Sequence, residues 1–439
     1  MRILFLSHYF PPEINAPASR TFEHCKRWVR EGHEVLVITC VPNHPSGKIY
    51  PGYRNRLFQT QKIDGIHVAR LWTFVAPNSG FFKRSLNYLT YMMAVLLFVI
   101  KMPEADVVIS TSPQFFCGLS GFFVSRIKKI PWVLEIRDLW PDSILAVGAI
   151  TYPSVIRILR YLEFFAYRKC HSIVALTDSF KMHIEQRGIP SRKIKVIKNG
   201  VNFDLFNEIP GCNSIQKKLG LENKLVVSYF GTHGMAHGLE VVLKTAKRLE
   251  NLKNAVFLLV GDGAEKQNLL ALRERMNLNN VIMLGQVPKN QMPGMLAATD
   301  IFLVLLRKND LFKTVIPSKI FEAMAMSLPI ISNVDGECRA ILEKAGCGLC
   351  IEPGNDLKLA EAIAFLADKV NLRYLWGRNG RKFVEKEFNR DDLAREYLSL
   401  IEKTVKYRNH NKLNWVNEFM HHNGITVSRE VLNAPTIQI

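Results

Sequence analysis

Short runs of consecutive apolar residues, each followed by a stretch with helical spacing, recur along the chain and constrain its architecture more than any other feature. The runs at 2–7 (RILFLS), 34–40 (EVLVITC), 106–110 (DVVIS), 132–136 (WVLEI) and 172–176 (SIVAL) are apolar throughout rather than at alternate positions. Strands of that kind are buried on both faces, which indicates parallel sheets with helices on either side. Residues 19–31 (SRTFEHCKRWVRE) follow the first run as an amphipathic helix stopped by Gly32. Residues 195–201 (KVIKNGV) close this series. A second begins after a polar stretch at 207–213 and runs through 225–230, 256–260, 281–284, 301–306 and 330–332. Two doubly wound α/β units follow, with ligands expected beyond the carboxyl ends of the strands, in a cleft between the units. Residues 389–405 form a last helix, and the stretch after about residue 408 is polar and aperiodic.

The length supports this division, since 439 residues exceed one ordinary core. Residues 1–10 are apolar only briefly before Pro11-Pro12, so they are a first strand rather than a signal peptide. No run reaches the ~18–20 residues a bilayer span needs. The nearest is 86–100 (LNYLTYMMAVLLFVI), bounded by Lys83-Arg84 and Lys101. The eight cysteines are scattered, which fits a reduced, cytoplasmic setting. Their one close pair, Cys347-Gly-Leu-Cys350, lacks the second pair of a metal site and reads as small-residue packing in a Gly-rich turn.

The formal net charge of +19 is uneven: residues 1–200 carry 27 Lys+Arg against 13 Asp+Glu, the remainder 31 against 26. Excess positive charge in one half implies an anionic partner of that half. No zinc-finger or RNA-recognition signature is present, and no basic stretch interleaves with stacking aromatics, so nucleic acid is not the expected partner. Phe81, Phe82, Lys83 and Arg84, followed by the apolar 86–100, suit an anionic membrane surface. The alternative is a buried crossover helix with a solvated basic end.

Five loops fall where a cleft would be. Residues 316–330 contain Pro317, Ser318 and Lys319 at a helix start, with Ser318 free to cap, then Ile320, Phe321, Met324 and Ala325 on one inward face. Free amides there suit a phosphate, and Glu322 one turn on could accept from vicinal hydroxyls. The plain alternative is a capped core helix with a solvent-facing glutamate. After the first strand, residues 8–20 (HYFPPEINAPASR) form a phosphate-sized notch without GxGxxG, so the dinucleotide fingerprint is missing. Glu135-Ile-Arg-Asp-Leu-Trp-Pro-Asp142 sets Arg137, Asp138 and Asp142 past a strand end as acid/base or hydroxyl-binding candidates, or as a salt-bridged loop. Gly231-Thr-His-Gly-Met-Ala-His-Gly238 is a second anion-binding candidate, and Gly261-Asp-Gly263 ends the next strand similarly. His233 and His237 have no companions to complete a metal site.

Taken in order, Asn199-Gly-Val201, Tyr229-Phe-Gly231 with Gly238, Val260-Gly-Asp-Gly263 and Pro317-Ser-Lys-Ile-Phe-Glu-Ala-Met-Ala325 resemble the family-4 retaining glycosyltransferases of the GT-B fold. His8-Tyr-Phe-Pro-Pro12 and Arg137-Asp-Leu-Trp-Pro-Asp142 are similar to the subgroup that builds O-antigen, capsule and colanic-acid-like polysaccharides, in particular the N-acetyl-L-fucosaminyltransferase type. The resemblance covers about residues 1–405. It implies two doubly wound Rossmann-like domains facing across a cleft: an acceptor-side domain 1–205, a nucleotide-sugar domain 206–388, a helix 389–407 returning to the first domain, and a polar tail 408–439.

By position, the resemblance gives Glu322 the donor's ribose and Val315, Ile316, Pro317 and Ser318 its diphosphate. Gly231, Thr232, His233 and His237 belong to the loop facing that diphosphate, with Gly261 beside it. Gln286 and Val287 flank the base, and Asn15 and Ala16 lie under the phosphates. Asp138 falls near the acceptor-side catalytic group, with Arg137 next to it. Three departures stand out. A glutamate frequent in the family is Thr314 here, an Arg and a Lys of the first loop become Thr232 and His237, and the usual paired glycines are Asn15-Ala16. Lys319 and Arg137 are then expected to supply the missing charge. The implied activity moves a sugar from a UDP-type donor to a lipid-diphosphate-linked saccharide at the inner face of the cytoplasmic membrane, with no metal and no cofactor. The alternatives are a sugar-nucleotide 2-epimerase of the same fold and a catalytically lapsed scaffold.

Overall fold

The computed structural model describes residues 1–44, 46–76, 81–146, 152–207, 213–252 and 254–422. Its first sheet holds β1 (Arg2–Leu6), β2 (Glu34–Cys40), β3 (Phe58–Ile63), β4 (Ile66–Leu71), β5 (Val107–Ser112), β6 (Trp132–Ile136), β7 (Ser172–Ala175) and β8 (Ile194–Val196), in the order β3-β4-β2-β1-β5-β6-β7-β8. The second holds β9 (Leu225–Phe230), β10 (Ala255–Val260), β11 (Val281–Leu284), β12 (Ile301–Val304), β13 (Ile330–Ser332) and β14 (Gly348–Cys350), in the order β11-β10-β9-β12-β13-β14. Every pairing is parallel except β3 with β4. The continuous apolar runs thus occupy central positions. Leu4 of β1, for example, lies between Leu36 of β2 and Val108 of β5.

Both sheets reverse their strand order at a switch point, beside β1 in the first and beside β9 in the second, and the carboxyl-end loops there form the cleft. The apolar reading missed β3 and β4. They are a hairpin turning at Asp64 and Gly65, both with positive φ. As an edge strand, β3 alternates exposed and half-buried residues and lacks an apolar run.

Each sheet is covered on both faces. Helix α1 (Ala16–Arg30) lies on one face of the first sheet, with Trp28 fully buried among Ile3, Phe5 and Val37. On the other face are α2 (Phe81–Phe98), α3 (Phe115–Ile127) and the helix Pro153–Lys169. The last helix, Arg390–His422, returns to this domain: Leu393, Tyr397, Leu398 and Ile401 pack beside Trp28, whose indole N–H donates to the Ala394 carbonyl at 3.0 Å. It continues well past residue 408, so the first part of the expected tail is helical. Neither Gly nor Pro interrupts the sequence before Gly424. Residues 423–439 lie outside the described residues.

The chain crosses between the domains twice, side by side. The Val201 amide donates to the Phe388 carbonyl at 3.0 Å, and the Arg390 amide to the Val201 carbonyl at 3.1 Å. A Cβ on Gly200 would stand 2.3 Å from the Phe388 carbonyl oxygen, so only glycine fits this crossing.

Helix α2 has two different faces. One face of α2 packs inward through Tyr88, Tyr91 and Val95, while Leu86, Leu89, Met93, Leu97 and, just beyond it, Ile100 are exposed, the last two to 78% and 81%. Among the described residues no helix is long and apolar enough to cross a membrane.

Candidate active site in the interdomain cleft

The C-terminal wall begins where β9 and β10 end. A Cβ on Gly261 (φ 148°) would lie 1.8 Å from the Gly231 carbonyl oxygen, and one on Gly263 (φ 156°) 2.5 Å from that of His233. Glycine at these positions lets the two strand-end loops stack backbone on backbone. The His233 amide donates to the Asp262 carbonyl at 2.9 Å, and the Glu265 amide to the His233 carbonyl at 2.9 Å. The His233 ring is buried with neither nitrogen partnered, and burial, reinforced by Lys266 and Lys319, brings its pKa down to about 4. His237 is pushed down to about 3 by burial and by Lys319. Both imidazoles are neutral near pH 7 and add no positive charge. Thr232 contributes its carbonyl, which accepts from the Tyr229 hydroxyl at 2.9 Å.

The positive charge comes from the facing helix, Lys319–Ala325. The ammonium of Lys319 lies 3.8 Å from the centroid of the Tyr229 ring, shielded and without a hydrogen-bond acceptor. It would be 2.9 Å from a Cβ at Gly231. Burial lowers its pKa to about 7, with Glu322 pulling the other way. Burial raises that of Glu322, opposed by Lys289, Arg390 and Lys319 and reinforced by Glu23 of α1. The glutamate expected to face solvent, in the plain reading, instead sits in a cluster of three cations. Ser318 already has helical backbone angles and makes no side-chain cap. Its hydroxyl accepts from the Asn199 amide at 3.0 Å. Ile316 is buried, Pro317 half-buried, and the Thr314 carbonyl accepts from Thr177 of the other domain at 2.9 Å. Gln286 reaches across to the Ile14 carbonyl at 3.3 Å, and Val287 packs on the second domain's core.

On the N-terminal wall, Asn15 caps α1 by accepting from the Ala18 amide at 2.8 Å, so Ala16 opens a 15-residue helix at the cleft. Asp138 stands at the end of β6, its carboxyl raised to about 6 by burial, with Ser143 and the Leu139 amide opposing. Asp142 opens the short helix Asp142–Ala146 and pairs with Arg187 at 2.8 Å and Arg160 at 3.1 Å.

Arg137 corrects its sequence expectation. Its guanidinium pairs with Glu135 and donates to the Pro17 carbonyl at 2.8 Å and the Thr21 hydroxyl at 2.7 Å. A side chain engaged on all three nitrogens holds the start of α1 and offers no charge to the cleft. It joins a polar strut that the sequence barely signals. Glu135, fully buried, also pairs with Arg20 at 3.3 Å. Arg20 donates to the carbonyls of Ile197 and Lys198, each at 2.9 Å, and to the Asn199 side chain at 3.1 Å. Through Asn199 and Ser318 the strut crosses to the second domain. Its one signal was Glu135, a carboxylate inside an otherwise apolar strand. Lys289 and Arg390, distant in sequence, gave none.

Of the four residues expected at a membrane, the Phe81 and Phe82 side chains lie outside the described residues, Lys83 is exposed, and Arg84 turns inward. Among the described residues no cluster of His, Cys, Asp or Glu is arranged to hold a metal ion.

Two family models match the chain: Glycosyl transferase 4-like domain over residues 15–200, and Glycosyl transferases group 1 over residues 213–383. The chain is 22% identical over 412 residues to an Escherichia coli K12 protein named as the colanic acid biosynthesis glycosyl transferase WcaI, covering 91% of this chain and 99% of that one. It is 24% identical over 338 residues to the capsular polysaccharide biosynthesis glycosyltransferase CapM of Staphylococcus aureus, covering 74% and 84%. Sucrose-phosphate synthase from Thermosynechococcus elongatus superposes with a TM-score of 0.73 at 16% identity, over 92% of this chain and 99% of that one. Anabaena HepE, solved with UDP-glucose, does so with 0.69 at 18% identity, over 93% and 100%. These structures share the GT-B fold. The chain belongs to the family-4 glycosyltransferases of the GT-B fold, and is an enzyme of the hexosyltransferase type, EC 2.4.

Proposed function

We propose that the enzyme transfers a sugar, an N-acetylated amino or deoxy sugar, with retention of configuration, from a UDP-type donor to a lipid-linked glycan in O-antigen, capsule or exopolysaccharide assembly. The observation that carries this is the Lys319–Glu322 pair on one helix turn, set against the Gly231 loop. Charge grows on the donor's diphosphate as the glycosidic bond breaks. Lys319 and the backbone amides of 315–318 meet it, with Gly231 and Gly261 leaving room for the approach. Glu322 accepts from the ribose hydroxyls, Gln286 and Val287 flank the base, and Asn15 and Ala16 bring the start of α1 beneath the phosphates. Asp138, with its raised pKa, faces the acceptor side as the candidate acid/base group. Arg137 acts as a positioning residue through Pro17 and Thr21. No metal and no cofactor is assigned. That HepE, of the same fold, is solved with UDP-glucose supports the donor class, and the relatives' names support the pathway.

UDP release measured across a panel of UDP-sugars, with and without lipid-diphosphate saccharides, tests this. Release that requires an acceptor, with a glycosylated product by mass spectrometry, is expected. Conversion of the nucleotide sugar without acceptor would make the enzyme a 2-epimerase, and binding without turnover a scaffold.

The apolar stripe of α2 supports peripheral docking on the inner face of the cytoplasmic membrane. Phe123 and Ile127 of α3, and Ile158 and Tyr161 of the helix Pro153–Lys169, on the same side of the sheet, are exposed as well. Lys83, Lys101, Arg126, Lys129 and Arg157, close to these residues in sequence, are exposed too, a basic complement suited to anionic headgroups. Met93→Glu with Leu97→Glu is expected to weaken binding to anionic vesicles at least tenfold in sedimentation, and Lys83→Glu to weaken it less and in a salt-dependent way. Equal binding by all three proteins would remove α2 from the docking face.

A further inference from the structure

The segment set against the diphosphate belongs to the second domain, yet both of its ends are bonded to the first. At one end the Thr177 hydroxyl donates to the Thr314 carbonyl at 2.9 Å. At the other the Asn199 side-chain amide donates to the Ser318 hydroxyl at 3.0 Å. Between these bonds the chain passes from the short turn of helix Asp310–Thr314 to the helix that carries Lys319. It is extended at Val315 (φ −106°, ψ 149°) and already helical at Ser318. The backbone thus changes conformation inside the clamp, in residues that belong to no helix or strand. Thr177 and Asn199 follow β7 and β8, the last two strands of the first sheet.

Both donors are themselves held. Thr177 is 2% exposed and caps the helix Asp178–Gln186, its oxygen accepting from the Phe180 amide at 3.0 Å. That leaves the hydroxyl proton for Thr314. Asn199 Oδ1 accepts from Arg20 at 3.1 Å, which turns the amide nitrogen toward Ser318. The second domain returns the grip through Glu337. Its carboxylate accepts from the Ser179 amide at 2.5 Å and pairs with Lys198 at 3.3 Å. Gly336 (φ 71°) ties that carboxylate to the same segment, since a Cβ there would stand 2.0 Å from the Lys313 carbonyl oxygen. Two short stretches of the first domain, 177–179 and 198–199, therefore bracket residues 313–318. A loop fixed in advance in this way binds without the entropy cost of ordering it first.

We propose that Thr177 and Asn199 are positioning residues for the transfer: from the first domain they hold 315–318, and with them Lys319, in the form that receives the donor's diphosphate. This rests on the diphosphate placement proposed above and names the groups that shape that site.

Thr177→Asp separates the helix cap from the clamp. An ionised aspartate caps a helix as well as threonine does, but it has no proton for the Thr314 carbonyl. It is expected to weaken UDP binding about three- to tenfold in calorimetry, the range of one neutral hydrogen bond, and to change uridine binding by less than about twofold. Thr177→Ser, which keeps both bonds, should restore the UDP affinity. Asn199→Ala, Ser318→Ala and the pair together, none of which adds charge, should weaken UDP by similar factors because all three break the same bond. Hydrogen exchange reads the clamp without nucleotide: amides of 314–321 should exchange at least about threefold faster in Thr177→Asp and in Asn199→Ala than in the wild type. Unchanged exchange overturns the proposal. So do equal losses of UDP and uridine, since a general loosening of the fold would weaken both. Faster exchange with wild-type UDP affinity, or a wild type that binds UDP no more tightly than uridine, would instead sink the diphosphate placement, and with it the role given to Thr177 and Asn199.

Discussion

Lys319→Ala is expected to lower turnover by about two to three orders of magnitude. Two loop positions that could have carried charge hold Thr232 and His237, and burial keeps His237 neutral, which leaves the buried ammonium over Tyr229 as a cation set directly against Gly231. Removing one preorganised group aimed at a developing anion costs about 2.7–4 kcal/mol in enzymes generally. The same lysine predicts a pH dependence. Its pKa is lowered to about 7, so the ligand-free protein loses that proton as the pH rises past neutrality. A bound diphosphate favours the charged form, so donor binding takes up a proton above about pH 7. Donor KM should therefore be flat below neutrality and rise toward about tenfold per pH unit above it. In Lys319→Arg the rise should vanish. For the unliganded fold the sign is opposite. The unfolded chain, with Lys319 near 10.5, holds more protons between about pH 7 and 10.5, so this residue's contribution to stability improves with pH across that window. Initial rates across pH 6–9 in the wild type and both variants check the donor effect, and a flat wild-type KM would remove Lys319 from the diphosphate.

Much of the fold was legible because parallel sheets write themselves as unbroken apolar runs. The runs at 34–40, 132–136, 225–230 and 281–284 match β2, β6, β9 and β11 to the residue. Strand β3 escaped for the complementary reason, since an edge strand with half its residues wet carries no such run. The buried β4 hid because His67 and Arg70 interrupt its apolar residues. The last helix was cut short in the sequence reading because its polar residues lack periodicity. Polarity ends burial, however, not helical hydrogen bonding, and nothing there breaks the backbone.

The site was legible where one short segment builds it. Lys319 and Glu322 share a helix turn, so spacing alone puts them together. Arg137 was misjudged because its fate depends on Glu135 and on Pro17 and Thr21 of another element, pairings a linear sequence does not reveal. Lys83 and Arg84 teach the same lesson at closer range, since neighbours on a helix point about 100° apart and can serve different surfaces. Asn199 was noticed as part of a motif, but its bond to Ser318 exists only once two domains meet.

Glu322→Ala is expected to raise donor KM by about 10- to 150-fold, the range for a charged hydrogen-bonding partner worth about 1.5–3 kcal/mol. The cluster around Glu322 adds a second consequence. Its carboxylate holds the Lys319 pKa up against burial, and Lys289 and Arg390 face it as well. Removing it, or neutralising it in Glu322→Gln, lets Lys319 fall below about 7, so the pH at which donor KM begins to rise should move toward acid. The two effects separate the roles. Loss of the ribose contact weakens UDP-sugars and UDP at every pH, whereas loss of support for Lys319 appears only above its new midpoint. Competition by UDP against uridine diphosphate lacking the ribose hydroxyls isolates the first, because the variant should no longer discriminate between them. If Glu322→Ala keeps wild-type discrimination and turnover, the ribose lies elsewhere and the carboxylate serves only to balance Lys289, Lys319 and Arg390.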